Sequence, residues 1–219
     1  MTLIHDSRDD PLYLFGEIFE RREYFPRGFY TPRPDHVVVD LGANIGFFAL
    51  FLQSQAPGIR INCFEPAPDS FRKLQANISA NRCTENINTY QYAISDSEGT
   101  QTLRKGSNSM LRALTTASDQ TDDGETVNTI TLEKALDLCG SEPINLLKMD
   151  IEGGEVELAS HASPRARSRI DRIVAEIHEQ ARPGSDDAVG AALKAAGFRH
   201  VVTMWPPHAV GCGILHAIR

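Results

Sequence analysis

A chain of 219 residues that is 41% hydrophobic and 23% charged carries enough apolar side chains to bury a core, which excludes a disordered tail or a fibre. The formal charge is -7, and the 22 Lys and Arg are scattered without forming a basic face, so nucleic acid is not an expected partner. The longest apolar run, Ile45 to Leu52, falls short of the ~20 residues that cross a bilayer, and the polar opening MTLIHDSRDD lacks a signal-peptide pattern. Cys63, Cys83, Cys139 and Cys212 form no CxxC pair and read as free thiols of a reducing compartment. The expectation is a soluble cytoplasmic protein with no membrane partner.

From the N-terminus, Leu14, Phe15, Ile18 and Phe19 stand at helical spacing and predict a short amphipathic helix within Pro11 to Tyr24. The prolines and glycine of FPRGFYTPRPDH end it, so residues 1–34 read as a helical extension and linker and 35–219 as one domain. Val37 to Leu41 then reads as a strand, Phe47 to Gln55 as a helix, and Ile59 to Glu65 as a second strand. A helix over Ser70 to Asn81 follows, with Phe71, Leu74 and Ile78 along one face and Asp69 or Ser70 as its cap. INTYQYAIS alternates as a third strand.

The polar stretch Gly106 to Thr126 is too long for an ordinary connector and fits a substrate lid or a disordered segment equally. Leu132, Leu136 and Cys139 mark a later helix, and INLLKMDI, RIVAEIH, HVVTMW and GILHAI read as strands. Further helices are expected near Glu155 to Ala162 and Asp186 to Ala196. This alternation predicts an α/β fold, a mostly parallel sheet covered on both faces, with ligands bound outside the carboxyl ends of its strands.

The first such end is the turn in VVVDLGANIGFFAL, where backbone N–H groups and a positive helix terminus face a ligand. The order Gly42, Ala43, Asn44, Ile45, Gly46 does not keep the Gly-x-Gly-x-x-Gly spacing of dinucleotide sites, and Asn44 stands where a pyrophosphate would need glycine. Glu65 ends the second strand about 20 residues beyond Gly46, the place from which a carboxylate accepts hydrogen bonds from ribose hydroxyls. A nucleoside with ribose and no pyrophosphate meets both conditions, and S-adenosyl-L-methionine is the common one.

VVVDLGANIGFFAL, CFEPAPDSFRKLQANISAN, YAISDSEGTQTL and LLKMDIEGGEVELA resemble, in order and spacing, the motifs of the FkbM-type methyltransferases. KMDIEGGE is the most specific, keeping all four charged positions and the glycine of the family's Lys-x-Asp-x-Glu-Gly-x-Glu. The resemblance implies a class I methyltransferase, Rossmann-like, with a seven-stranded sheet whose last strand is antiparallel. It also implies transfer from S-adenosyl-L-methionine, usually to a hydroxyl of a natural product or glycan. By the same analogy Asp40, Gly42, Asn44 and Gly46 face the methionine part, Glu65 the ribose, and Ala93, Ser95 and Asp96 the adenine. Asp150 is expected beside the cofactor, Tyr24 matches an upstream tyrosine near it, and SNSML a serine segment before the family's variable region.

Lys148, Asp150 and Glu152 alternate with apolar neighbours and fall on one side of their strand, and Glu176 and His178 are likewise two apart. Buried charges cost several kcal/mol unless paired, so their concentration at strand ends predicts a cleft, with a paired network such as Lys148 against Glu176 as the plain alternative. Methyl transfer to oxygen needs alignment and removal of a hydroxyl proton. The candidate catalytic residues are Asp150, His178, Glu152 and Lys148: His178 can take a proton near neutral pH, whereas Asp150 or Glu152 could do so only with a raised pKa or could orient the acceptor. Asp150, Glu176 and His178 offer a second route, ligation of Mg2+ or Mn2+. An NAD-dependent oxidoreductase accounts for the sheet and Glu65 but not Asn44, and a non-catalytic nucleoside-binding protein leaves the charged cluster without a role.

Overall fold

Five consecutive buried residues, three of them valines, make β1 (Val37–Leu41) the centre of the sheet in the computed structural model, which describes residues 1–104, 114, 124–152, 154–180, 183–209 and 211–219. The other strands are β2 (Arg60–Phe64), β3 (Ile87–Tyr90), β4 (Ala93–Ile94), β5 (Gly99–Arg104), β6 (Gly124–Ile130), β7 (Leu146–Met149), β8 (Arg172–His178), β9 (His200–Met204) and β10 (Cys212–Ile218). Seven of them form one sheet in the order β3-β2-β1-β7-β8-β10-β9. Every pairing is parallel except those of β10 with β8 and β9, so the last strand alone is reversed. This is the Rossmann-like α/β sandwich of class I methyltransferases, as the sequence leads one to expect.

Side chains of period two divide the core. Val37, Val39, Leu41, Leu147, Met149, Ile173, Ala175 and Ile177 pack with α4 (Leu132–Leu138), α5 (Glu155–His161), α6 (Pro164–Ser168) and α7 (Ser185–Ala195). Val38, Ile61, Cys63, Leu146, Val174 and Ile214 instead pack with α2 (Phe47–Gln55), α3 (Pro68–Ala80) and residues of the N-terminal extension, including Ile18, Tyr24 and Phe29. Asp40, Lys148, Glu176 and His178 share the parity of this second set. The strand ends that turn ionic therefore do so on the face the extension covers.

The extension differs from the reading of one helix. α1 (Pro11–Phe15) passes directly into a π-helical turn, Gly16–Glu20, which buries Gly16, Glu17 and Ile18. Its first residues lie on α3, where Asn77 donates from its side chain to the Ile4 carbonyl at 3.1 Å and Lys73 holds Asp6 and Asp9 at 2.7 Å each.

Other boundaries also shift. α3 starts at Pro68 with Ala67 as its N-cap, because proline is suited to the first helical position, where no N–H is needed. INTYQYAIS is two strands: β3 stays in the main sheet, while β4 joins β6 and β5 in a second sheet of three strands. β6 begins at Gly124, within the polar stretch. The rest of Gly106 to Thr126, apart from Leu114 bridging to Leu103, lies outside the described residues, and so do the lid reading and SNSML. All four cysteines are free, with Cys63 buried and the others half-buried. Among the described residues no helix is long and apolar enough to cross a membrane.

Candidate active site

At the end of β1 the chain turns at Gly42 with φ +77°, and a Cβ there would stand 1.8 Å from the Asp150 carbonyl oxygen. Glycine at this position is what lets the ends of β1 and β7 close on each other. Gly46, at φ +95°, caps α2, whose N-terminus faces the same side. Between them Asn44 takes a left-handed conformation, φ +49°, and its N–H donates to Glu65 Oε2 at 2.8 Å. The Ala67 N–H donates to Glu65 Oε1 at 2.9 Å, so backbone donors orient both carboxylate oxygens.

Lys148 ties this turn to β7. Its ammonium donates to the Gly42 carbonyl at 2.9 Å and pairs with Asp40 at 3.2 Å and Asp150 at 3.3 Å, between the rings of Tyr24 and Phe48. Its partner is thus Asp40 across the adjacent strand rather than Glu176. Burial works against the Lys148 charge, but Asp40 and Asp150 outweigh it and raise the pKa. Burial pushes the Asp40 carboxyl up, with Lys148 opposing. In the segment that the resemblance sets beside adenine, Ala93 is buried on β4, and the Ser95 hydroxyl accepts from Gln101 at 2.8 Å and donates to Asp96 at 3.3 Å.

The ends of β7 and β8 bring Asp150, Glu152 and His178 together, with one ligating atom of each within 4.8 Å of the others. His178 Nε2 lies 3.3 Å from Glu152 and 3.9 Å from Glu176, and Nδ1 lies 3.2 Å from Glu155 Oε1, which also accepts from the Ile151 N–H at 3.2 Å. Burial lowers the histidine's affinity for its proton, but the hydrogen bond to Glu155 and the charges of Glu152 and Glu176 overcome this and hold the pKa at about 10. This favours the imidazolium form of His178, paired with the surrounding carboxylates. Burial raises Glu152 to about 8 against the pull of His178, and raises Glu176, with Asp150 adding, to about 7. Glu152 also holds a left-handed backbone, φ +54°, unusual outside glycine.

Tyr24 donates to Glu176 at 3.1 Å and lies 3.4 Å from Glu17. Glu17 and Cys212 do not stand out in the sequence as candidates. Glu155 closes the KMDIEGGE pattern and was legible there; Glu17 gives no local signal, since the same spacing in a regular helix reads as a solvated position.

The residues fit S-adenosylmethionine on two observations: among the described residues the Asn44 Oδ1 is buried without a hydrogen-bond partner, and neither oxygen of fully buried Asp40 has an aligned hydrogen bond. The metal reading fits less well. The compact three-residue sets are Asp150–Glu152–His178 and Glu176–His178–Cys212, not Asp150–Glu176–His178. Both ring nitrogens of His178 already face carboxylates, Glu155 at Nδ1 and Glu152 at Nε2.

A model of the methyltransferase FkbM domain matches residues 40–200. The chain is 32% identical over 234 residues to 31-O-demethyl-FK506 methyltransferase FkbM of Streptomyces tacrolimicus, covering 94% of this chain and 88% of that protein. It is 28% identical over 149 residues to hexuronic acid methyltransferase AglP of Haloferax volcanii, covering 68% of this chain and 59% of that one. The crystal structure of a methyltransferase FkbM from Methylobacillus flagellatus KT superposes with a TM-score of 0.63 at 16% identity, over 89% of this chain and 46% of that one, a likeness of fold.

Proposed function

The chain belongs to the FkbM family of S-adenosylmethionine-dependent methyltransferases, and from that premise we propose that it methylates a hydroxyl of a small natural product or glycan. The observation that carries this reading is the meeting of two unlike sets of residues. A backbone-built nucleoside cradle at the ends of β1 and β2 is tied by Lys148 to a carboxylate cluster at the ends of β7 and β8. Relatives named for 31-O-demethyl-FK506 and for a hexuronic acid support a small or sugar-like acceptor. The free cysteines agree with a reducing cytoplasm.

S-adenosylmethionine, when bound, supplies an electrophilic methyl group on a positively charged sulfur. Asp40, Gly42, Asn44 and Gly46 hold its methionine part, Glu65 accepts from the ribose hydroxyls, and Ala93, Ser95 and Asp96 flank the adenine. Alignment is the larger contribution to rate. Asp150, steadied by Lys148, orients the acceptor hydroxyl, and Glu152 takes its proton. A carboxyl pushed up to about 8 is close to the operating pH, where a general base works best. The His178 imidazolium, clamped by Glu155, holds Glu152 in place and keeps its negative charge tolerable once ionised.

Incubation with methyl-13C donor and a panel of hydroxyl-bearing macrolides and sugars tests the reading. A labelled methyl on oxygen, identified by its carbon chemical shift, is expected; label on nitrogen or carbon contradicts it.

A further inference from the structure

The Tyr24 hydroxyl has one hydrogen and faces two carboxyl groups, Glu176 at 3.1 Å and Glu17 at 3.4 Å. The shorter contact takes the hydrogen, since hydroxyl donors sit at about 2.5–3.0 Å from their acceptors and weaken beyond. Glu17 is then left beside the lone pairs of Tyr24. An ionised carboxylate there, 4% exposed, would face oxygen lone pairs without a donor; a neutral acid would supply one. The π-helical turn is what points it inward, as Gly16, Glu17 and Ile18 are buried while Glu20 is exposed.

We infer that Glu17, from the N-terminal extension, is a positioning residue of the methyl-transfer site: it remains a neutral acid, donates to Tyr24, and so commits Tyr24's hydrogen to Glu176. Glu176 is thereby kept as the ionised member of the pair on the acceptor side. The inference rests on the methyl-transfer reading of the site.

The charged surroundings agree. Burial raises Glu17 to about 8; Glu176, Asp150 and Glu23 raise it further, and Lys148 opposes. Tyr13 and Tyr24 feel the Glu17 charge, Arg21 pairs with Glu23, and Cys212 and His178 face Glu176 from β10 and β8. Lys148 is already committed to Asp40 and Asp150. The nearby cations are thus each paired with another carboxylate.

Three measurements on the full chain test this. In the wild type, 13C-carboxyl NMR, with Glu17→Gln used to assign the resonance, should give a Glu17 midpoint several units above the ordinary 4.5. Glu17→Gln, whose amide donates permanently, should methylate an acceptor from the hydroxyl panel within about threefold of the wild-type rate at neutral pH, whereas Glu17→Ala loses about tenfold in rate, both binding S-adenosylmethionine about as the wild type does. A folded-state pKa raised above the unfolded value contributes stability that is full below about 4.5 and lost as pH rises through about 8. Glu17→Gln should therefore match wild type in acid and surpass its unfolding temperature increasingly toward alkaline pH. An ordinary Glu17 midpoint overturns the inference without needing any variant to fold. Equal losses of methyl-transfer rate in Glu17→Gln and Glu17→Ala, or a stability gap independent of pH, overturn it as well. Absence of cofactor binding by the wild type would instead bring down the methyl-transfer reading on which it stands.

Discussion

The two halves of the site are built by different means. The donor half, at the ends of β1 and β2, is set by backbone: a glycine forced by the approach of Asp150, and a Glu65 carboxylate fixed by the N–H groups of Asn44 and Ala67. The acceptor half, at the ends of β7 and β8, is set by side-chain charge: Lys148 among Asp40, Asp150 and the Gly42 carbonyl, and His178 among Glu152, Glu155 and Glu176. Backbone geometry survives changes of pH and of single side chains. A charge network does not, because removing one partner leaves another buried and unpaired. A donor common to a whole family suits the first construction, and an acceptor that varies suits the second.

The largest effect should follow from breaking the acceptor half. Glu152→Gln is expected to lower turnover by about 10²- to 10⁴-fold, roughly 3 to 5 kcal/mol of barrier, with cofactor affinity nearly unchanged in a calorimetric titration. Near-normal turnover would make Glu152 a structural partner of His178. Breaking the donor half acts on the fold first. Gly42→Ala combines a left-handed backbone with a Cβ in contact with Asp150, and should lose about 3 kcal/mol of stability in urea unfolding. Unchanged stability would mean that the ends of β1 and β7 are not closely apposed.

The same comparison explains what the sequence revealed. Val37–Leu41 and Phe47–Gln55 were legible residue for residue, because an uninterrupted buried strand and an apolar helix each carry their own pattern. Glu65 was legible because its role depends on a position relative to one turn. The extent of the third strand was not: alternation continues through Gln91 and Tyr92, whereas the chain leaves the main sheet after Tyr90 and enters the second at Ala93. The acceptor half was legible only as a concentration of charge. Which nitrogen of His178 meets which carboxylate depends on the loop that bends Glu152 into a left-handed conformation and on the start of α5 at Glu155, and neither has a local signature. Glu17 was missed for a similar reason, since its burial needs both the wider π turn and a partner, Tyr24, supplied by the linker.

A smaller effect separates the halves by pH. The Glu152 and Glu176 carboxyls, raised to about 8 and about 7, contribute stability that is full below about 4.5 and is lost as pH rises through those values. His178, raised to about 10, contributes stability that is full below about 6.5 and lost as pH rises through 10. The unfolding temperature should thus fall from about pH 4.5 to about 8 and on to about 10, and the fall between 8 and 10 should vanish in His178→Ala; a fall between 8 and 10 common to both proteins would remove the imidazolium from the account. The smallest effect is expected from chelation. With His178 protonated and clamped, EDTA should leave turnover unchanged, and loss restored by Mg2+ or Mn2+ would return the cluster to a metal-binding role.

The central claim is that donor binding resides in the backbone-built half and does not depend on the charged half. Titration calorimetry of S-adenosylmethionine into the wild type, Glu65→Ala and His178→Ala tests it most directly. Loss of the Glu65 hydrogen bonds, worth ~1.5 to 3 kcal/mol each, should weaken binding at least about tenfold, while His178→Ala binds within about threefold of the wild type. Unchanged affinity in a folded Glu65→Ala protein, or a loss in His178→Ala as large as that in Glu65→Ala, would contradict the division of the site into these two halves.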